Sequence, residues 1–263
     1  MTFLLLYCLL GAISGILAGL LGVGGGIVIV PMLTYLFTLQ QLPDAYILHL
    51  ALGTSLASIM FTSISSARAH HGRGAVIWSM VRRISPGIVV GGLLGSWVAA
   101  QLSSRVLKGS FVVFLFFVAA KLLRNVAPTP RQATGTAGML GAGTLIGAVS
   151  SVVGIGGGTM TVPFMLRCNV SMHNAIGTSA AIGFPIALAG ALGYAVNGLK
   201  TTALPAYSLG FIYLPALLGI VLASFLTAPL GAKLAHGLPV LKLKKIFGCL
   251  LIVVALKMSL TLF

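Results

Sequence analysis

The sequence predicts an all-α protein whose solvent is lipid: a polytopic integral membrane helical bundle. Three observations carry that prediction. Hydrophobic residues make up 58% of the 263 positions and charged residues only 6%, and the mean hydropathy is +1.12. Soluble domains devote about a quarter of their residues to charge. Apolar runs long enough to cross a hydrocarbon core, about 20 residues each, recur from end to end. The runs are continuous rather than alternating, so helices, not a membrane barrel, satisfy the backbone in lipid.

The elements follow in order. The first apolar stretch, residues 3–38, is too long for one crossing and is broken at Gly24-Gly25-Gly26, with Pro31 shortly beyond. It has no basic leader or cleavage site before Gly22, so it reads as a span rather than a removable signal. Stretch 45–67 carries Gly53-Thr54-Ser55, stretch 75–102 begins within the basic segment from Arg68 to Arg83, and stretch 106–123 closes the first half. A polar connector rich in Pro and Thr, NVAPTPRQATG, comes next. Stretch 136–166 is again broken, at Gly156-Gly157-Gly158, and is followed by 172–196, 203–230 and 240–262.

The second half repeats the first. GAISGILAGLLGVGGGIVIVPML (11–33) aligns with GTLIGAVSSVVGIGGGTMTVPFM (143–165) at one constant offset, and His49 to Ser55 aligns with His173 to Ser179 after a gap shortened by eight residues. The organisation expected is therefore a first membrane repeat over 1–125, a linker over 126–135 and a second repeat over 136–263. Repeats of this kind are the usual construction of secondary transporters, with the substrate site at the repeat interface. The basic clusters are Arg68, Arg73, Arg82 and Arg83 in the first copy and Lys233, Lys242, Lys244 and Lys245 in the second. If both face the cytoplasm, the copies are inverted, and each broken first stretch goes in and comes back.

Charge narrows the function further. Sixteen Lys and Arg stand against one acid, Asp44. Spread through short loops, the basic residues read as orientation signals and lipid headgroup contacts rather than a nucleic-acid surface. Cation transport through buried carboxylates is excluded, because no Glu and only one Asp exist. No nucleophile, base and orienter combination supports an enzyme. The glycine breaks lack the βαβ context of a dinucleotide fingerprint, and no cofactor is expected. Cys8, Cys168 and Cys249 form no ligand spacing and read as small core residues.

The candidate binding residues are the two breaks and their neighbours. Three adjacent glycines disfavour a continuous helix by about 1 kcal/mol each relative to Ala. Gly24, Gly25 and Gly26, with Gly156, Gly157 and Gly158, would thus end one helix and start another inside the membrane. A helix N-terminus there offers unpaired NH groups and partial positive charge, suited to a small anion without any charged side chain. Thr54, Ser55, Thr178 and Ser179 add hydroxyl donors, although such hydroxyls also bond back to their own helices. His49 and His173 are possible proton or anion contacts. His70, His71 and Arg73 read as a solvated loop. Gly11, Gly15 and Gly19, matched by Gly143, Gly147 and Ser151, form small-residue stripes for helix packing, and leave a homodimer through them open.

The two glycine–proline blocks and the two Gly-Thr-Ser blocks resemble the TauE/SafE family of membrane permeases, across nearly the whole chain. That resemblance implies a duplicated four-segment layout in the cytoplasmic membrane and transport of sulfite, thiosulfate, sulfoacetate or other sulfonates. The chain departs from symmetry where Arg167 replaces Tyr35. The expectation is a permease that rocks one copy against the other. The alternatives are a metal or metal-chelate transporter using His49, His70, His71, His173 and methionines, and a non-transporting membrane assembly partner.

Overall fold

The structure, a computed structural model, describes residues 2–22, 24–124, 135–235 and 240–260. The chain runs through α1 (Thr2–Leu21), α2 (Gly26–Leu39), α3 (Ile47–His71), α4 (Trp78–Gln101), α5 (Ser104–Arg124), α6 (Thr136–Val153), α7 (Gly158–Arg167), α8 (Met172–Gly198), β1 (Ser208–Leu209), β2 (Ile212–Tyr213), α9 (Leu214–Ala235) and α10 (Val240–Leu260). Six of these helices, α1, α3, α4, α6, α8 and α9, are long and apolar enough to cross a membrane. The linker expected over 126–135 lies, apart from Gly135, outside the described residues.

Both first stretches divide at their glycines as the sequence expects, α1 from α2 and α6 from α7, so each half contains five helices. One feature differs from the sequence expectation. The stretch expected from residue 203 instead opens with an antiparallel hairpin pairing Ser208 with Tyr213 and Leu209 with Ile212. Tyr207 and Gly210 adopt left-handed φ values of 64° and 54° there, which no helix accommodates, so α9 starts only at Leu214. Hydropathy alone could not see this turn inside an apolar run.

Helix directions follow from close approaches. α1 and α9 run parallel: a methyl built at Gly11 would meet the Ile220 carbonyl, and one at Gly15 the Ser224 carbonyl. α4 and α6 also run parallel, with Gly143 against Ile84 and Gly147 against Ile88. α3 and α8 run antiparallel, Gly53 meeting Tyr194 and Gly183 meeting Ser63. In lipid, where apolar surface gives no drive between helices, close backbone approach at small residues supplies the packing. The glycine stripes are thus occupied inside the chain, so they do not serve a homodimer.

These seams join helices from different halves. α1 of the first half lies along α9 of the second, and α4 lies along α6, while α5 packs with α10. The centre is α3 and α8, 83% and 78% buried along their apolar windows, against 33% for α9 and 39% for α6. Lipid-facing leucines such as Leu218, Leu222 and Leu226 line the outer face of α9. Cys8 and Cys168 are half-buried, whereas Cys249 is exposed on α10 rather than in a core.

Charge separates the two ends of the bundle. The α3–α4 connection brings Arg68, Arg73, Arg82 and Arg83 to one face. α9 delivers Lys233 to the same face, since Ser65 donates to the Phe225 carbonyl (2.6 Å) and His70 pairs with the Gly19 carbonyl (2.9 Å) near its C-terminal half. The opposite face holds Asp44, Arg105, Lys108 and Lys200, with Lys257 stacked 4.3 Å from the Tyr35 ring.

Candidate functional site

Each glycine break folds the chain back on itself. Gly25 and Gly157, the residues just before α2 and α7, adopt φ of 77° and 75°, a left-handed conformation that glycine takes without steric cost. Gly25 thereby returns to Ser14 of α1, where a methyl would lie 2.7 Å from its carbonyl oxygen. Gln40, past the end of α2, bonds the hydroxyl of Tyr7 near the start of α1. α1 and α2 are therefore a hairpin, and Gly157 returns in the same way toward Ile146 and Ser150 of α6.

The two breaks meet. A methyl at Gly24 would lie 3.1 Å from the Cα of Gly156, and one at Gly26 would lie 3.0 Å from the Cα of Ile155 and against the Gly154 carbonyl. Neither α2 nor α7 has a side-chain cap. Two helix N-termini, each carrying partial positive charge, thus lie side by side where the hairpins touch, with Gly24 against Gly156 and Gly26 against Gly154 and Ile155, while Gly25 faces Ser14 and Gly157 faces Ile186.

Each predicted hydroxyl is fully buried and has a backbone partner in the opposite half. Ser55 donates to the Gly154 carbonyl (2.8 Å) and Ser179 to the Gly22 carbonyl (3.0 Å). Thr54 accepts from the Tyr213 NH (2.9 Å) and Thr178 from the Ile77 NH (3.0 Å). Ser179 also bonds Thr161 of α7. The serines hold the carbonyl ends of the breaks, and the threonines hold the connections that lead into α9 and α4. Replacing Ser55 or Ser179 by Ala leaves a buried carbonyl short of a donor, so each change is expected to lower stability by about 1–3 kcal/mol. Thermal unfolding in detergent checks this, and equal transition temperatures in wild type and variants would contradict it.

The histidines are not brought together. His49, 4% exposed near the start of α3, donates through Nε2 to the Leu102 carbonyl at 3.1 Å and stacks on Phe211 of the hairpin. His173 is exposed at the other end of the bundle, because α3 and α8 are antiparallel. His71 accepts from the Trp78 indole NH (3.1 Å), and Arg73 donates to the Ala69 carbonyl (2.8 Å). Among the described residues no three His, Cys, Asp or Glu side chains gather as a metal set.

A cavity of about 1130 Å³ opens on the face of Asp44, between the ends of α2, α4 and α8 and the start of α5. Thr34 and Thr38 of α2, the helix that begins at the first break, line it, with His49, Trp97, Arg105, Lys108, Lys200 and Phe211. No sequence motif marks this cavity. Its signal is the presence of Arg105, Lys108 and Lys200 on the end that is otherwise poor in cations, and it becomes readable only once the helix directions are known.

Paired broken hairpins buried in a lipid-facing helical bundle define a polytopic membrane transporter. The family model described as sulfite exporter TauE/SafE matches residues 7–258, and the chain belongs to that family. It is 40% identical over 98% of its length, and 99% of the other chain, to the "Probable membrane transporter protein" of Haemophilus influenzae. It is 28% identical to the "Probable membrane transporter protein YdhB" of Bacillus subtilis, covering 88% of this chain and 89% of that one. A relative of the same description in Methanocaldococcus jannaschii is 26% identical, with coverage of 88% and 87%. No solved structure matches the chain.

Proposed function

We propose that this transporter is a secondary permease for a small sulfur oxyanion or organosulfonate, of the size of sulfite, thiosulfate or sulfoacetate. The observation that carries the reading is the meeting of two uncapped helix N-termini at the opposed breaks. The anion's oxygens accept from backbone NH groups beside Gly24, Gly25 and Gly26 and beside Gly156, Gly157 and Gly158. Ser55 and Ser179 keep those backbones in place, and Thr54 and Thr178 anchor the connections into α9 and α4. By the positive-inside rule, the face with Arg68, Arg73, Arg82, Arg83 and Lys233 is cytoplasmic, in a cell membrane, and the cavity beside Asp44 opens outward.

The moving bodies are not the sequence copies. Rocking residues 1–125 against 136–263 would tear both parallel seams, α1 with α9 and α4 with α6. The bodies are instead α1, α2, α3 and α9 against α4, α6, α7 and α8, parting along α3 and α8.

The test is a thermal-shift screen of purified protein with sulfite, thiosulfate, sulfoacetate, simple carboxylates and divalent metals, followed by flux in proteoliposomes. A ligand at a hundred times its Kd stabilises the folded state by about 2.7 kcal/mol. Stabilisation by a sulfur oxyanion or sulfonate, with matching flux, is the expected result. A response to metals alone overturns the reading.

A further inference from the structure

We infer that the cavity beside Asp44 is a second binding site, distinct from the glycine breaks, for the oxyanion group of an organic anion. Charge placement is the first argument. The chain has sixteen Lys and Arg, and orientation in the membrane favours their accumulation on the other face. Three of the cations kept on this face, Arg105, Lys108 and Lys200, nevertheless line one cavity. Cations scattered to meet headgroups would not converge from α5 and from the end of α8 on a single concavity.

Local structure supplies the second argument. Arg105 and Lys108 lie three residues apart in the first turns of α5, which places both side chains on one side of that helix. The N-terminus of α5 adds its partial positive charge to theirs. The single acid, Asp44, offsets only part of this field. Arg forks and Lys ammonium groups around a sulfonate or phosphate make charge-assisted hydrogen bonds, roughly twice as strong as neutral ones.

Shape and lining supply the third. A volume of about 1130 Å³ far exceeds the roughly 30 Å³ of one water, so the space admits an organic body along with its charged group. Tyr46, Trp97 and Phe211 provide aromatic walls for that body, while Gln101 and Asn197 offer amide donors. The floor is fixed: Phe211 is buried and stacks on His49, and Ser104 ties α5 to the Ala45 carbonyl at 2.7 Å.

The chain has two tryptophans, and Trp97 lines the cavity while Trp78 lies at the start of α4, on the other face. Full-length Trp78→Phe protein in nanodiscs of neutral phosphatidylcholine therefore reports on the cavity through Trp97 fluorescence. Titration with sulfoacetate is expected to give a saturable change. The added substitutions Arg105→Gln, Lys108→Gln and Lys200→Gln should weaken it at least tenfold. Discs made with phosphatidylglycerol separate the two sources of the oxyanion. A sulfoacetate response that persists there marks a solute site, and one abolished there marks a lipid phosphate in the same place; both support the assignment. No response in either disc, or a response that the three substitutions leave unchanged, overturns it. The transport reading fails separately, as absent flux with the Trp97 response intact.

Discussion

Gly26→Val is expected to reduce anion flux by at least about a hundredfold while the protein still inserts into the membrane. Gly26 is the first residue of α2, so its backbone tolerates a side chain, and the obstacle is its neighbour. The added Cβ meets the Gly154 carbonyl, lies 2.9 Å from Ile59 Cδ1 and 3.0 Å from the Ile155 Cα. Ile59 can rotate, but the backbone at 154–155 belongs to the opposite hairpin and has to retreat. A displacement of about 1 Å in groups that position a reacting or bound species costs on the order of a hundredfold. The change alters no outer, lipid-facing surface, so membrane insertion is retained. Proteoliposome flux, with detergent size-exclusion profiles as the check on folding, measures both. Normal flux from monodisperse Gly26→Val protein would place the anion path away from the breaks. Gly25→Leu adds backbone strain at φ 77° and a clash with Ser14, and is expected to lose folded protein as well.

How much of this was legible in the sequence depends on the range of the interaction. The breaks at Gly24 and Gly156 were readable because a run of three glycines acts on its own local backbone. The use of Gly11, Gly15, Gly143 and Gly147 for packing was readable for the same reason, but not their partners. Whether α1 meets α9 or another helix depends on matched surfaces some 200 residues apart, which hydropathy does not encode. The hydroxyls show the same boundary. Thr54 and Ser55 were visible as polar residues in an apolar span, yet the Tyr213 NH and Gly154 carbonyl that they engage lie in the other half. Without those partners a structural bond and a substrate contact look alike. Arg105 and Lys108 were hidden differently: as loop-adjacent cations they are ordinary, and only their face distinguishes them.

A disulfide between α3 and α8 is expected to stop transport, whereas one inside a single moving body is not. A methyl at Gly183 would lie 3.2 Å from Ser63 Cβ, near the Cβ separation of about 3.5–4.5 Å that a disulfide adopts. The same methyl lies 3.5 Å from the Gly156 carbonyl, so Ser63→Cys with Gly183→Cys pins the two bodies at the level of the breaks. Gly92→Cys with Ala189→Cys is the comparison, joining α4 to α8 within one body, where the corresponding atoms lie 2.8 Å apart and the helices part by roughly 1 Å to reach disulfide geometry. With Cys8, Cys168 and Cys249 replaced by Ser, oxidation of the first pair should remove at least about nine-tenths of the flux, and reductant should restore it. The second pair should carry anion in both redox states. The opposite pattern, flux through the α3–α8 disulfide and none through α4–α8, would mean that the seams slide while the centre stays fixed. In lipid the helices of each seam are held by close packing of small residues, which is lost over its whole length if the seam slips. Across the divide between the two bodies the hydroxyl bonds are those from Ser55 to the Gly154 carbonyl and from Ser179 to the Gly22 carbonyl; each is worth about 0.5–1.5 kcal/mol and they can be exchanged one at a time, so an interface of that kind can open and re-form during a transport cycle.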